Sequence, residues 1–295
     1  MLILQSLIDG ILLGGVYAVI AVGLSLAYGV MGILNWSHGE MLMLSMFLSY
    51  FLVTNLGMDP YVTAFVGIIV FFLIGYFLQK FVLNGMIKKD PQREPISVLL
   101  STAGLGMILW NMATMVFSSN AMTATTSYTG KAIWMADNML TISIPKVVSF
   151  VIAVIATVIL YIFIEKTDFG RAMRATSQNR EVARLMGINV ENIYCLVFGL
   201  SLALVAVAGS LLIPNFSVYA KVGDIYSNKA FIIVVLGGKG NIRGALVGGI
   251  IIGIIERLGA VFFNESYGLM LTFVLFIILL LFRPNGMFSK KLNQV

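Results

Sequence analysis

The recurrence of long apolar runs constrains this chain more than any other feature of its sequence. The hydrocarbon core of a bilayer is about 30 Å thick, so a helix needs about 20 predominantly apolar residues to cross it. Runs of this kind follow one another through the sequence, at residues 11–31, 40–56, 61–83, 96–117, 146–164, 193–213, 225–237, 245–262 and 267–282. They predict an all-α polytopic membrane protein.

Two of these nine segments are weak candidates for a complete crossing. Segment 40–56 follows the first run after a short turn, and segment 225–237 is too short to cross unless residues 218–224 join it. We therefore expect about eight transmembrane helices, with one or two discontinuous or re-entrant segments. Residues 1–295 are expected to form a single transmembrane domain.

The composition supports lipid as the solvent for most of the chain. Hydrophobic residues make up 59% of it and charged residues 11%, with a mean hydropathy of +0.98. A soluble domain carries about 25% charged residues. The single Cys195 excludes an internal disulfide, and one cysteine with one histidine gives no metal cluster. We expect no soluble domain, no cleaved signal peptide, and no metal or cofactor bound by this chain.

The placement of basic residues predicts the orientation of the chain, because lysine and arginine stay preferentially in cytoplasmic loops. With the amino end outside, most of the 19 lysines and arginines fall on the cytoplasmic side, together with the carboxyl terminus. The net charge of +6 is therefore explained by topology, and we expect no nucleic-acid partner. The polar loop 118–143, with Tyr128 and Trp134 at the membrane interface, is predicted to be external and to offer a docking surface.

The polar segment 165–192 is the most informative of the predicted cytoplasmic pieces. Asp168 is expected to cap a short helix that runs through Thr176, and Asn179 a second one. Gly187 supplies the left-handed position that ends the second helix. Two short helices across a membrane face would form a docking platform with Leu185, Met186 and Ile188 presented to a partner. The alternative is a solvated connecting loop.

The sequence E-V-A-R-L-M-G at residues 181–187 resembles the EAA-x-x-x-G loop of importer-type ABC permeases, with valine in place of the middle alanine. In that family the loop forms a coupling helix that seats in a groove of the ATPase subunit. The resemblance therefore implies a cytoplasmic coupling loop at 165–192. The residues it assigns to ATPase coupling are Asp168, Gly170, Arg171, Arg174, Arg180, Glu181, Ala183 and Gly187.

Three further stretches resemble LivH-type permeases of branched-chain amino acid importers. N-W-S-H-G-E at 35–40 is similar to that family's N-F-A-H-G-E, and G-R-A-M-R-A at 170–175 matches in order. K-A-F at 229–231, followed by V-L-G-G-K-G-N-I-R-G-A at 235–245, is similar to K-A-F…V-L-G-G-x-G-S-I-P-G-A. The departures are Trp36, Ser37, Asn241 and Arg243. They lie around the expected permeation path.

The stretches at 35–39 and 237–244 are helix-breaking turns, each followed by an apolar helix. In lipid, irregular backbone survives only where protein or water surrounds it, and broken helices in two halves of a transporter mark its substrate site. The positive ends of the helices that start near Gly39 and Ala245 would attract a carboxylate. The alternative is two ordinary interfacial turns. The predicted substrate-pathway residues are Asn35, Ser37, His38, Gly39, Glu40, Lys229, Gly237, Gly238, Gly240, Asn241 and Gly244.

Several ionisable residues have two possible roles from sequence alone. His38 and Glu40 either form a proton relay or lie at the membrane interface and order the turn. Lys229 either lines the path or snorkels to the outer interface. Glu256 and Arg257 point about 100° apart on one helix, so each is expected to face the bundle interior or a neighbouring subunit instead of the other.

No Walker A motif is present, so ATP would be used by partner subunits. The resemblance implies a permease that is not an enzyme, paired with a second LivH/LivM-like permease, two cytoplasmic ATPase subunits and an extracytoplasmic substrate-binding protein. Its setting would be a bacterial or archaeal plasma membrane, in contact with membrane lipid. Leucine, isoleucine and valine are the leading substrates, with urea, short amides and other amino acids as alternatives. A stand-alone proton-coupled transporter or channel is the rival hypothesis.

Overall fold

The computed structural model describes residues 2–89, 94–117, 120–126, 128, 130–135, 140–238, 240–283 and 286–288. Helices dominate them. The elements are α1 (Leu2–Met31), α2 (His38–Leu56), α3 (Pro60–Leu78) with a π-helical continuation (Gln79–Leu83), α4 (Asn84–Lys89), α5 (Glu94–Phe117), β1 (Ala132–Met135), β2 (Leu140–Ser143), α6 (Ile144–Lys166), α7 (Asp168–Gln178), α8 (Arg180–Leu185), α9 (Val190–Leu212), α10 (Val222–Gly237), α11 (Ile242–Phe262) and α12 (Glu265–Phe282).

Within the described ranges, seven helical stretches are long and apolar enough to cross a bilayer: α1, α2, the continuous stretch from α3 to Ile87, α5, α6, α9 and α11. The prediction of an all-α polytopic membrane protein is therefore confirmed, and the count of about eight spans stays a prediction. Helix α10 has 16 residues and begins at Val222, so residues 218–221 do not join it as a helix. The apolar part of α12, Tyr267–Phe282, is also short. Helix α1 begins nine residues before the predicted start.

Helices α1 and α9 form the centre of the bundle, and most of their residues are buried. Glycines let α11 pack closely along α1: a Cβ atom at Gly14 would lie 2.7 Å from the carbonyl oxygen of Gly249. Gly75 of α3 makes a similar approach to Gly199 of α9. Small residues at helix contacts are typical of membrane proteins, because lipid provides no hydrophobic force between helices. Gly14 and Gly249 are therefore packing positions between α1 and α11.

The two ends of the bundle carry different structures. At the end where α1 begins, which we call the hairpin face, β1 pairs with β2 and Lys146 forms a 2.7 Å ion pair with Asp9. The same face holds Tyr128, whose hydroxyl donates to Asp59 at 3.0 Å. Partial burial and the nearby Asp59 carboxylate raise the pKa of Tyr128, so this phenol remains a donor at neutral pH. Part of the predicted external loop lies outside the described residues.

The opposite end, which we call the coupling face, holds α7, α8 and the end of α1. Helices α2 and α10 are the exception to this two-ended arrangement, because they begin between the faces. The His38 ring lies 3.0 Å from the carbonyl oxygen of Ile20 in α1. Ile20 lies eleven residues before Met31, which corresponds to about 16 Å along the helix. Helix α2 therefore starts near the middle of the bundle, and this depth positions the candidate site.

Candidate substrate pathway and coupling region

The amino-terminal ends of α2 and α10 meet at mid-depth. The backbone N–H of Gly39 donates to Ser227 Oγ at 2.9 Å, and a Cβ atom at Gly39 would overlap the carbonyl oxygen of Gly223. Both positions must therefore be glycine for the two helix ends to approach this closely. The structure thus brings together five of the predicted pathway residues at 35–40 with the helix that carries Lys229.

Nearby side chains form hydrogen bonds with much of the backbone in the break between α1 and α2. Asn35 Oδ1 accepts hydrogen bonds from the Ser37 N–H at 3.1 Å and the Ser37 hydroxyl at 2.8 Å. The Trp36 N–H donates to Thr102 Oγ1 of α5 at 3.1 Å. Irregular backbone inside a membrane protein needs such partners, because lipid provides none. The first break is therefore stabilised by specific hydrogen bonds inside the bundle.

Two nearly fully buried side chains at this break have an unused polar atom. His38 is 1% exposed and Asn35 is 4% exposed. A carbonyl oxygen only accepts hydrogen bonds, so His38 Nε2 carries the proton directed at Ile20 and Nδ1 is left as an acceptor. Among the described residues, neither His38 Nδ1 nor Asn35 Nδ2 has a hydrogen-bond partner. Both residues line a cavity of about 30 Å³, together with Ser227 and Asn228 of α10.

Glu40 lies in the first turn of α2, where its charge suits the positive end of the helix dipole. Its carboxyl group faces that of Asp224, which lies in the first turn of α10. His38 and Glu40 are both buried within the bundle, so the structure places them away from the interface that the sequence left open for them. The described contacts include no hydrogen bond that joins the two as a relay.

Lys229 is 6% exposed and pairs with Glu256 of α11 at 2.8 Å. Its ammonium also donates to the Tyr17 hydroxyl at 2.8 Å and lies 4.5 Å from the centre of that ring. The Tyr17 hydroxyl in turn lies 3.2 Å from Glu256 Oε1. The alternative in which Lys229 snorkels to an interface is therefore wrong, because its charge is neutralised inside the bundle. The expectation that Glu256 faces the bundle interior is confirmed.

The predicted residues of the second break lie elsewhere. Gly29, which follows Ile20 by nine residues and about 14 Å along α1, touches Gly240: a Cβ atom at Gly240 would lie 2.7 Å from Gly29 Cα. Asn241 caps α11 by accepting from the Gly244 N–H at 3.1 Å, and its Nδ2 donates to Phe288 O at 3.0 Å. Lys239 lies outside the described residues. The second break is thus a packed turn near the coupling face.

Glycines close this second turn. Gly238 and Gly240 have φ angles of 89° and 76°, a left-handed region that favours glycine. A Cβ atom at Gly244 would overlap the carbonyl oxygen of Gly237. A cavity of about 90 Å³ lies beside the turn, lined by Gly240 and by Arg174 and Ser177 of α7. The structure therefore places Gly237, Gly238, Gly240, Asn241 and Gly244 next to α7 and apart from the residues at 35–40.

The two predicted short helices of the coupling region are present, with one change of cap. Thr167 caps α7, because its hydroxyl accepts from the Gly170 N–H at 3.1 Å. Asp168 is instead the first helical residue, so its prediction as the cap is wrong. It forms an ion pair with Arg171 on the surface. The helix extends to Gln178, two residues beyond its predicted end.

The second helix, α8, follows the prediction at both ends. Asn179 Oδ1 accepts from the N–H groups of Glu181 and Val182 at 3.0 and 3.1 Å. Gly187 has a φ angle of 83°, the left-handed conformation expected after a helix. Ala183 is buried and anchors α8 to the bundle.

The remaining coupling residues attach α7 to the end of α6. A Cβ atom at Gly170 would overlap the carbonyl oxygen of Ile164, and the Arg174 guanidinium donates to the same oxygen. Arg180 precedes Glu181 at the start of α8. Helix α7 and the end of α6 therefore touch through backbone atoms.

Three apolar side chains of the coupling region are exposed, and we call them the coupling patch: Val182, Leu185 and Met186. Leu185 is 86% exposed and Met186 is 78% exposed. Ile188, predicted to be presented with them, is half-buried and packs against the core. The prediction for Ile188 is therefore wrong, since the residue after the left-handed glycine turns back toward α9.

Comparison with known proteins decides the family. The model of the branched-chain amino acid transport system permease component matches residues 6–280. This chain belongs to that family. The permease is similar over 97% of its length to the high-affinity branched-chain amino acid transport system permease protein BraD of Pseudomonas aeruginosa, with 33% identity over 96% of that protein.

Further relatives place the permease within the family. The high-affinity branched-chain amino acid transport system permease protein LivH of Escherichia coli (strain K12) is 30% identical, with 97% of this chain and 96% of that protein covered. The probable branched-chain amino acid transport permease protein LivH of Methanocaldococcus jannaschii is 27% identical over 99% of this chain and 95% of that protein. The resemblance inferred from short motifs therefore extends through the full sequence, and the permease is a transport protein and not an enzyme.

Sequence reasoning missed two residues of the mid-depth junction in the permease. Tyr17 binds both members of the Lys229–Glu256 pair, and Ser227 accepts from the backbone of Gly39. A signal for the ion pair was present: opposite charges on two apolar helices are expected to pair inside a membrane protein. No local signal identified Tyr17, since tyrosine is common in apolar helices.

Proposed function

We propose that this permease forms, with a second LivH/LivM-like permease, the translocation pathway of an ABC importer for branched-chain amino acids. The observation that carries the proposal is the match to relatives named for this transport over 97% of the chain. The exposed coupling patch supports it, because it gives separate ATPase subunits a place to act. ATP is used by those subunits, and this chain binds no cofactor.

The ATPase subunits dock on α7 and α8 at the coupling face. Leu185 and Met186 are large apolar side chains held out from the surface by two capped helices. Burying such a side chain against a partner is worth about 1.5–3 kcal/mol. The coupling residues have two structural roles. Gly170 and Arg174 hold α7 to α6. The residues that shape α8 are Glu181, Ala183 and Gly187. Asp168, Arg171 and Arg180 supply charge around the contact.

The substrate passes along α10, whose outward surface is polar. Lys221, which immediately precedes this helix, and Asp224 and Asn228 within it are exposed at successive helical turns. Exposed charges are costly in hydrocarbon, so this surface faces water or another protein chain. The second permease covers it and leaves an aqueous path between the two subunits. Asn35, Ser37, His38, Gly39, Glu40 and Lys229 lie along its outer half, and Gly237, Gly238, Gly240, Asn241 and Gly244 along its inner half.

The hairpin face is extracytoplasmic, and the coupling face and carboxyl terminus are cytoplasmic. The basic residues Arg171, Arg174 and Arg184 on α7 and α8 support this orientation through the preference of positive charge for the cytoplasm. An extracytoplasmic substrate-binding protein delivers the amino acid at the hairpin face. The membrane is the plasma membrane of a bacterium or archaeon.

The test is co-purification in mild detergent followed by reconstitution into proteoliposomes with the recovered subunits and binding protein. We expect ATP-dependent accumulation of leucine. Leu185→Ser combined with Met186→Ser should reduce ATPase binding about tenfold or more with normal membrane insertion, because both side chains are exposed. The matched control is Leu56→Ser, an exposed leucine at the hairpin face, which should bind normally. Uptake that follows a proton gradient without ATP would establish the stand-alone transporter instead.

A further inference from the structure

The cavity at the first break is a small polar site between α1, α2 and α10. Its volume of about 30 Å³ has room for one or two water-sized groups. Asn35 and His38 contribute from the α1–α2 break, and Ser227 and Asn228 contribute from α10. Residues distant in sequence thus build one site.

The hydrogen bonds around this cavity leave one donor and one acceptor unfilled. Asn35 Oδ1 is occupied by Ser37, which leaves the Nδ2 group as a donor without a partner among the described residues. His38 Nε2 donates to Ile20 O, which leaves Nδ1 as the acceptor. Each unfilled buried group costs free energy. A ligand that carries both a hydrogen-bond acceptor and a donor would complement these two groups.

We propose that this cavity binds the head group of the transported α-amino acid, with its carboxylate accepting from Asn35 Nδ2 and its ammonium donating to His38 Nδ1. The inference rests on the proposed function and names the residues that recognise its substrate class. Ser227 has a hydroxyl proton to donate, since its oxygen already accepts from the Gly39 N–H.

The surroundings of the cavity fit the rest of an aliphatic amino acid. Trp36 and Phe231 line it, with ring centres 6.5 Å apart, and Leu24 and Leu34 complete its apolar wall. Trp36 is half exposed and Asn228 is exposed, so this side of the cavity borders the polar surface of α10. The head group therefore enters from the proposed path, and the side chain remains against Trp36 and Phe231.

Asn35→Asp tests the proposal, because it separates the structural hydrogen bonds from the unfilled donor. Aspartate retains an oxygen for the two bonds from Ser37 and replaces the donor with an acceptor that repels a carboxylate. In proteoliposomes with the complete complex, we expect leucine transported per ATP hydrolysed to fall about tenfold to hundredfold. Asn264→Asp is the control, because Asn264 caps α12 and does not line the cavity, and because aspartate caps equally well.

The outcomes separate this inference from the proposed function. Wild-type import together with unchanged coupling in Asn35→Asp overturns the head-group site alone. Absence of ATP-driven import by the wild-type complex overturns both. If Asn35→Asp does not assemble, Asn228→Leu decides, since this exposed residue tolerates substitution and lines the same cavity: a severalfold fall in leucine per ATP supports the site, and an unchanged ratio overturns it.

Discussion

The two helix breaks of this permease look alike in sequence and differ in structure. At the first, between α1 and α2, buried Asn35 and His38 border a small cavity and each has an unfilled polar atom. At the second, between α10 and α11, the Asn241 side chain uses both its oxygen and its nitrogen. The first break is arranged to receive a ligand, whereas the second is arranged to pack.

The difference follows from what each break must contact. The first lies at the depth of Ile20, where α2 and α10 meet end to end and leave space between side chains. The second lies beside Gly29 and α7, where backbone approaches backbone. Its neighbouring cavity of about 90 Å³ is lined, among the described residues, by no buried polar side-chain atom that lacks a hydrogen-bond partner. Turn-forming residues in the sequence therefore identify a break in a membrane helix. Buried hydrogen-bonding groups without a partner, which only the structure reveals, identify a ligand site.

The largest expected effect comes from replacing the basic residue near each break, which is Lys229 for the first and Arg243 for the second. Lys229→Met leaves Glu256 buried without its partner, and loss of one member of such a pair costs about 3–5 kcal/mol. Arg243→Met at the second break should change stability little, because Arg243 is exposed and stacks on Tyr161. Thermal unfolding of the detergent-purified permease measures both. If Lys229→Met and Arg243→Met lost equal stability, the contrast between the two breaks would be wrong. Adding Glu256→Gln to Lys229→Met should restore part of the lost stability.

An intermediate effect is expected where α2 meets α10. Gly39→Ala adds only a Cβ atom, which overlaps the Gly223 carbonyl oxygen, so the helix ends must separate at a cost of about 1–3 kcal/mol. The matched variant Gly104→Ala, on α5, meets no atom within 4 Å and should be neutral or slightly stabilising. The midpoint of thermal unfolding distinguishes them. If Gly39→Ala were as stable as the control, the close contact at mid-depth would be absent.

The smallest expected effect is at the second break. Asn241→Ala removes the cap of α11 and the hydrogen bond to Phe288, which should destabilise the permease by about 1 kcal/mol. Asn241→Ser retains a capping oxygen and should recover most of this difference. Urea or thermal unfolding ranks the stabilities of the wild type, Asn241→Ala and Asn241→Ser. A loss of leucine transport per ATP in Asn241→Ser, without a change in stability, would instead make the second break a ligand site.

Local chemistry made the coupling region predictable. Asn179 and Gly187 act within a few residues of their own positions, so the sequence determines their roles. The cap of α7 was misplaced by one residue because threonine and aspartate stand side by side and both are good caps. The position of Ile188 depended on the direction in which the chain leaves Gly187, which the neighbouring residues do not specify.

The depth of α2 was beyond the reach of sequence reasoning. It depends on contacts between Gly39 and Gly223 and between His38 and Ile20, and neither pair is marked by composition or spacing. The apolar pattern predicts that a helix is present, and it says nothing about where along the bilayer normal the helix begins. For the same reason the sequence does not show that the two breaks contact α1 at positions about 14 Å apart, near Ile20 and Gly29.

The meeting of Gly39 with Gly223 has a consequence for how the chain is made. The two glycines are synthesised roughly 180 residues apart, and at about 5–20 residues per second the first break waits about 10–40 s for its partner helix. During that interval the polar backbone at 35–37 lacks the completed bundle around it. The insertion machinery must shelter it, so the nascent permease is expected to leave the translocon as a late-released group of helices instead of one span at a time.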